Sequence, residues 1–303
     1  MTNTKQFPLY LRTLLQPGEW QQQKADHERA IDEQIAPYLE ARSRQQKDPV
    51  MDFLFEYYAF RPSHLKSWTP GLGTRLIDGA KYDWRFEEME SLHQDAYLAI
   101  RHFDQDRISA VRWILDMLKQ SAQRKPSFGC FGMHEWAMVY KAKHIRHGYL
   151  ELRMEMDELA AFVESRPLVC THFDAFRFFT GPAKPRNKYE LSRQKFSQME
   201  QPGCLHTNMD LYKWTFKMYP WISSETIRKA FELAVETRMM DMKASPYDLR
   251  ERGLEPIKIE TKEGRLEYVE TQQAIFEKSQ PIRRQLIREY QQMLSLLEEA
   301  SKD

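Results

Sequence analysis

Apolar side chains return every three to four positions through most of this chain, and strict two-residue alternation is confined to short stretches. That rhythm demands helices packed face to face. In ISAVRWILDMLKQ it puts Val111, Ile114, Leu115 and Leu118 in one stripe, which predicts a helix with a buried face. Pro17 opens an earlier helix whose Trp20, Ile31, Ile35 and Tyr38 share a side. Pro49 opens a short aromatic helix, VMDFLFEYYAF, closed by Arg61-Pro62. LHTNMDLYKWTFKMY and SETIRKAFELAVETRMMDM predict two more helices, separated by Pro220. A helical tail is expected from Leu266 to Ala300, broken at Pro281.

Partial alternation predicts short strands around 149–153, 167–171 and 256–260. The expected fold class is therefore mainly α, one helical domain over 1–303 with a few short strands. Its parts would be an N-terminal helical half (about 17–125), a site-bearing half (about 126–262) and a C-terminal helical tail (263–303).

Composition narrows the function classes. A net charge of +1 gives duplex binding no global support. Three cysteines, Cys130, Cys170 and Cys204, cannot all pair, and none lies in a CxxC. No secretory leader and no apolar run near membrane-spanning length are visible, so the expected location is the cytoplasm, with no membrane partner. The sequence implies no particular protein partner.

Chemistry concentrates in the middle third. Three short blocks each set a histidine beside a carboxylate and aromatic or polar neighbours: His134-Glu135-Trp136, His172-Phe173-Asp174, and His206 through Asp210. A fourth, Asp241 to Asp248, adds Ser245 and Tyr247. One such histidine is ordinarily a hydrogen-bonded core residue. The recurrence is what points to a site.

In a helix beginning near His206, Asp210 lies one turn on and Lys213 continues the same face. Asp174 and Arg177 are spaced to pair, leaving Phe173 and Phe176 to pack or stack. Gly129, Gly132 and Gly203 precede two of the blocks and allow close backbone approach. Candidate catalytic residues are Asp210, Asp174, His206 and Glu135. Candidate substrate contacts are Trp136, Phe176, Arg177, Asn208, Tyr212 and Lys213, with Ser245 and Tyr247.

His134, His172 and His206, with a nearby carboxylate, also have the ligand types of a facial iron triad or a histidine-rich zinc site. A divalent ion (iron, zinc or manganese) is the cofactor this alternative implies. No HExxH is present.

Residues 181–203 form a long polar connection in which Lys184, Arg186 and Lys188 could meet phosphates. The partner would then be DNA or a nucleoside-like small molecule. HLKSWTPGLGTRLI has the apolar-x-Pro-Gly-x-Gly pattern of a helix-hairpin-helix, but the helix before it would be very short after Pro62. The aspartate expected about twenty residues on in helix-hairpin-helix glycosylases would fall near Asp95, inside an ordinary amphipathic helix.

The strings GCFGMHEWAMVY, CTHFDAFRFFTGPAKPRN, EQPGCLHTNMDLYKW and DMKASPYDL, with DFLFEYYAFRPSHLKSWTPGLG upstream, resemble a bacterial family commonly labelled 3-methyladenine DNA glycosylase. The resemblance runs from about Trp20 to the tail. It implies hydrolysis of the N-glycosidic bond to an alkylated base, with no cofactor required. Such a base is a cationic leaving group, so the enzyme needs an aromatic cage, which Trp136, Phe176, Tyr212 or Trp214 could offer. It also needs a carboxylate, Asp210 or Asp174, to steady the oxocarbenium-like sugar.

Overall fold

The computed structural model describes residues 6–300. In chain order, β1 (Thr13–Leu15) leads into α1 (Pro17–Ser43) and, after a π-helical turn at Phe53–Tyr57, the short α2 (Pro62–Lys66). β2 (Thr74–Leu76), β3 (Met89–Leu92) and β4 (Asp95–Leu98) follow, then α3 (Ile108–Gln123), α4 (Met133–Val139), α5 (Met156–Glu164) and α6 (Phe173–Phe176). The remainder is α7 (Phe196–Met199), α8 (Leu205–Lys217), α9 (Ser224–Lys243) and α10 (Lys262–Ala300). The fold is mainly α with a few short strands.

α8 and α9 pack most extensively against each other, and α10 lies across α3, α8 and α9. Pro17 at the first turn of α1 and the apolar stripe of α3 act as the sequence implies, with Val111, Ile114, Leu115 and Leu118 all buried.

The strands lie elsewhere than expected. They form one small sheet in the order β1-β2-β4-β3, parallel between β1 and β2 and antiparallel otherwise. Around 149–153 and 167–171 only isolated bridges occur, Leu152 with Tyr247 and Leu168 with Asn187, and 256–260 is irregular. Those stretches alternate but meet no strand to complete a ladder.

Asp95, expected in a helix, starts β4; its carboxylate takes Arg75 Nε at 2.5 Å and the Asp78 amide at 3.0 Å. Pro281 does not break the tail, because α10 continues for 39 residues. Packing against three helices holds the chain straight enough to tolerate one missing amide donor.

The Thr69–Gly73 turn gives its polar groups to the start of α9. The Thr69 amide donates to Ser224 Oγ at 2.8 Å and the Leu72 amide to Trp221 O at 3.0 Å. A Cβ on Gly71 would stand 2.9 Å from the Ser223 nitrogen. These groups meet protein, and the turn is not laid out as a phosphate-holding hairpin.

Residues 181–203 are not structureless: they hold a 3₁₀ turn at Lys184–Arg186 and α7. The Asn187 side chain accepts from the Cys170 amide at 2.9 Å and donates to the Cys170 carbonyl at 3.1 Å, pinning the segment.

Candidate functional site

Four helices bring the polar blocks together. α4 starts after Phe131 and Gly132, both at positive φ (49° and 72°), a turn that a phenylalanine rarely makes. It delivers His134 and Glu135 from the first turn of α4. The start of α8 is set by Gly203, where a Cβ would meet Ser127 O at 2.7 Å. Gln201 closes the same junction, donating to Ser127 O at 3.1 Å and accepting the Ser127 and Gly203 amides. α8 then presents His206, Asp210 and Lys213; His172 caps α6, which carries Asp174; and α9 presents Arg238 and Asp241.

The three imidazoles form a contiguous row. The His134 and His206 rings meet edge to face at 4.5 Å between centroids, and His206 stacks on His172 at 5.2 Å. All three side chains are buried.

At one end His134 Nε2 lies 2.7 Å from Asp241 Oδ1. Arg238 Nη1 donates to Asp241 Oδ2 at 2.7 Å and to Glu135 Oε1 at 2.8 Å. At the other end His172 Nδ1 stands 2.8 Å from Glu200 Oε1, but out of line, so neither atom makes a hydrogen bond. Lys213 Nζ bridges Asp174 at 2.8 Å and Asp210 at 3.0 Å, and Tyr58 OH donates to Asp210 at 2.8 Å.

These surroundings set protonation in opposite directions along the row. Burial pulls His134 down, but the Asp241 carboxylate outweighs it and holds the imidazole well above its ordinary range. His172 is likewise raised, burial being outweighed by Glu200 and Asp210. Among the described residues, no carboxylate is hydrogen-bonded to His206. Burial, then the charges of His134 and His172, hold it well below the usual value. Asp241 sits at about 2, since His134 and Arg238 overcome its burial.

Two small cavities flank His206. One, about 30 Å³, is lined by His206, His172, Asp174, Asp210, Glu135 and Arg238, with Tyr57, Phe178, Arg146, His147 and Tyr247 among its other walls. The other, about 20 Å³, lies toward His134 and is lined by Cys130, Cys170 and Cys204. All three thiols are free.

Among the described residues, two groups have the donor types and proximity to hold a metal: His134, His206 and Asp241, and His172, Asp174 and Asp210. In each, one ligand atom per residue lies within 4.8 Å of the others.

The expected site residues divide. His134, Glu135, His172, Asp174, His206, Asp210 and Tyr247 line these cavities, and Lys213 ties two of the carboxylates. Trp136 turns the other way: it is fully buried and donates to Ala244 O at 2.9 Å. Tyr212 is core, ringed by Tyr58, Phe60, Phe216 and Phe231. Asn208 faces α10, accepting from Arg283 at 2.6 Å, and Ser245 closes its own turn on Met242 O at 2.6 Å.

Phe176 packs on Phe179, and buried Trp214 lies beside a separate cleft with Phe173. Arg177 donates to Tyr57 OH at 3.1 Å. Lys184, Arg186 and Lys188 line neither cavity, and Arg186 donates to Glu164 O. Arg238, Tyr58, Glu200 and Arg146 were not anticipated. Only the Arg238–Asp241 spacing on α9 could have signalled one of them.

Comparison of the chain with protein-family models, curated proteins and solved structures finds no match. Among the described residues, no helix is long and apolar enough to cross a membrane.

Proposed function

We infer that this chain is a metal-dependent enzyme acting on a small molecule, with a divalent ion (iron, zinc or manganese) held by His134, His206 and Asp241. The observation that carries this reading is the convergence of two imidazoles and a carboxylate, all buried, with ligand atoms within 4.8 Å.

The donor chemistry fits. Burial and the neighbouring charges hold the His206 imidazole low, which favours the unprotonated form that a ligand needs. His134 Nε2 and Asp241 Oδ1 lie 2.7 Å apart, close enough for both to be drawn onto one ion. Binding would displace the proton they share. Arg238 holds the other oxygen of Asp241 and so orients the carboxylate from behind. The second group suits an ion less well, because the Lys213 ammonium already bridges Asp174 and Asp210.

An ion so held would supply Lewis acidity or an activated water. The residues around it do the remaining work. Tyr57 and Phe178 wall the pocket against bulk water, and Tyr58 and Lys213 fix Asp210 at its side.

A second reading, N-glycosidic hydrolysis of an alkylated base, draws on Asp174 and Asp210 beside Tyr57 and Phe178. Lys213 already pairs with both carboxylates, and the cavity they share with His172 and His206 is small, about 30 Å³. We therefore adopt the metal reading.

The test is elemental analysis beside activity. The wild type should retain or take up one iron, zinc or manganese ion. His206→Ala and Asp241→Asn should lose metal and activity together. A wild type that takes up none of the three metals ends the reading.

A further inference from the structure

Two guanidiniums at the pocket have capacity to spare. Arg238 commits Nη1 to Glu135 and Asp241 and points Nε at Pro49 O, 3.4 Å away. Among the described residues nothing accepts from its Nη2, although the side chain is 1% exposed and lines the pocket. Arg146, also lining the pocket, has no hydrogen-bond or ion-pair partner among the described residues. Its guanidinium lies 4.4 Å over the Phe178 ring, and Arg177 lies 4.6 Å over the same ring.

The carboxylates of the pocket do not answer these donors. Glu135 is paired with Arg238, and Asp174 and Asp210 are both paired with Lys213. Arg146 is exposed and, among the described residues, unpaired at the pocket, so its donors are free to meet a ligand there, and a guanidinium fork matches a carboxylate.

We propose that this pocket binds the carboxylate group of a small organic acid, with Arg238 Nη2 and the Arg146 guanidinium as its donors. Size selects within the oxyanions. A cavity of about 30 Å³ has room for a flat carboxylate in place of about two waters, and is cramped for a tetrahedral phosphate. The proposal rests on the pocket being the substrate site of the metal-dependent enzyme inferred above, and it names the substrate class, a carboxylic acid.

The experiment titrates acetate, and separately inorganic phosphate, into the full chain as purified and after chelator treatment, with binding followed by calorimetry. Acetate should bind saturably in both preparations, and phosphate more weakly. Arg146→Met should weaken acetate about tenfold, the effect of losing one charge-assisted hydrogen bond. Arg146→Lys should recover only part, because an ammonium lacks the planar fork.

Absence of saturable acetate binding, equal binding by Arg146→Met, or phosphate binding tighter than acetate each overturns the proposal. The chelated arm separates the two readings. Acetate binding through Arg146 in a chain that takes up no metal sinks the metal centre alone, and metal uptake without acetate binding sinks the carboxylate site alone.

Discussion

His206 stacks on His172 with ring centroids 5.2 Å apart and planes 20° from parallel. The two respond oppositely to this shared environment. His172 has Glu200 and Asp210 nearby and is raised, whereas His206 is lowered, first by burial and then by the charges of His134 and His172. Replacing His172 with leucine should therefore move the His206 pKa upward in metal-free protein, while burial and His134 keep it below the ordinary value. Imidazole nitrogen shifts followed by NMR titration measure this directly. An unmoved His206 would mean that His172 carries no charge in the folded chain.

Arg238 compensates two buried carboxylates at once. Arg238→Met should cost about 3–5 kcal/mol in urea unfolding, because Glu135 is left without a counter-charge and Asp241 keeps only His134. Adding Glu135→Gln to that variant should restore part of the loss. If the double variant is no more stable than Arg238→Met, the network is not the source of the penalty.

Asp210 separates the two functional readings. It accepts from Tyr58 and Lys213 but lies outside the His134–His206–Asp241 group. Asp210→Asn should leave metal content unchanged and lower stability by about 2 kcal/mol, the worth of a charged hydrogen bond. Metal loss comparable to that of His206→Ala would relocate the ion to the His172 side. Metal-free wild type that loses its activity only on this substitution would favour glycoside chemistry.

Gly203 lets the chain before α8 pass against Ser127. Gly203→Ala should destabilise by about 1–3 kcal/mol through overpacking and displace His206 with the helix start. Chemical denaturation reads the first effect and metal affinity the second. A variant of wild-type stability and affinity would show that the junction relaxes freely.

His27 on α1 should give the fold an acid sensitivity remote from the site. It is buried, its Nε2 lies 2.9 Å from Leu65 O, and its Nδ1 has no hydrogen-bond partner among the described residues. Burial, then Arg228, lower its pKa against the smaller opposing pull of Leu65, Glu28 and Glu232. The folded chain thus binds this proton less readily than the unfolded one. The contribution is complete above the unfolded value near 6.5 and is lost as pH falls through the lower folded value. His27→Gln should flatten that part of the stability–pH curve; an identical slope in the variant would assign the sensitivity to other groups.

Helices with a strong one-sided stripe were legible in the sequence because their period is written locally, as in α3 and α9. The sheet was not. Its strands are three or four residues long, too short for alternation to stand out, and what makes them strands is pairing across distant segments. The histidine blocks were legible because the same chemistry recurred in three places.

Which neighbours face the pocket was not. On α8, Asn208 lies about 200° around the helix from His206 and so meets Arg283 on α10. Tyr212 falls into the aromatic core and Trp136 onto Ala244 by the same rotation away from the site. Arg238 escaped notice because its importance lies in Glu135, a partner on another helix. The convergence of all three cysteines on one cavity carries no local signal at all.

The order in which this chain emerges from a ribosome gives α10 a further significance. Arg283 reaches Asn208 on α8, Tyr290 OH donates to Trp214 O at 2.7 Å, and Glu289 accepts from the Ser223 amide at 2.8 Å where α9 begins. Every residue of the candidate site is synthesised before these three. A nascent chain that has reached residue 260 therefore carries its histidine row on helices whose outer brace does not yet exist. These three contacts can form only once α10 has been made and packs against α8 and α9.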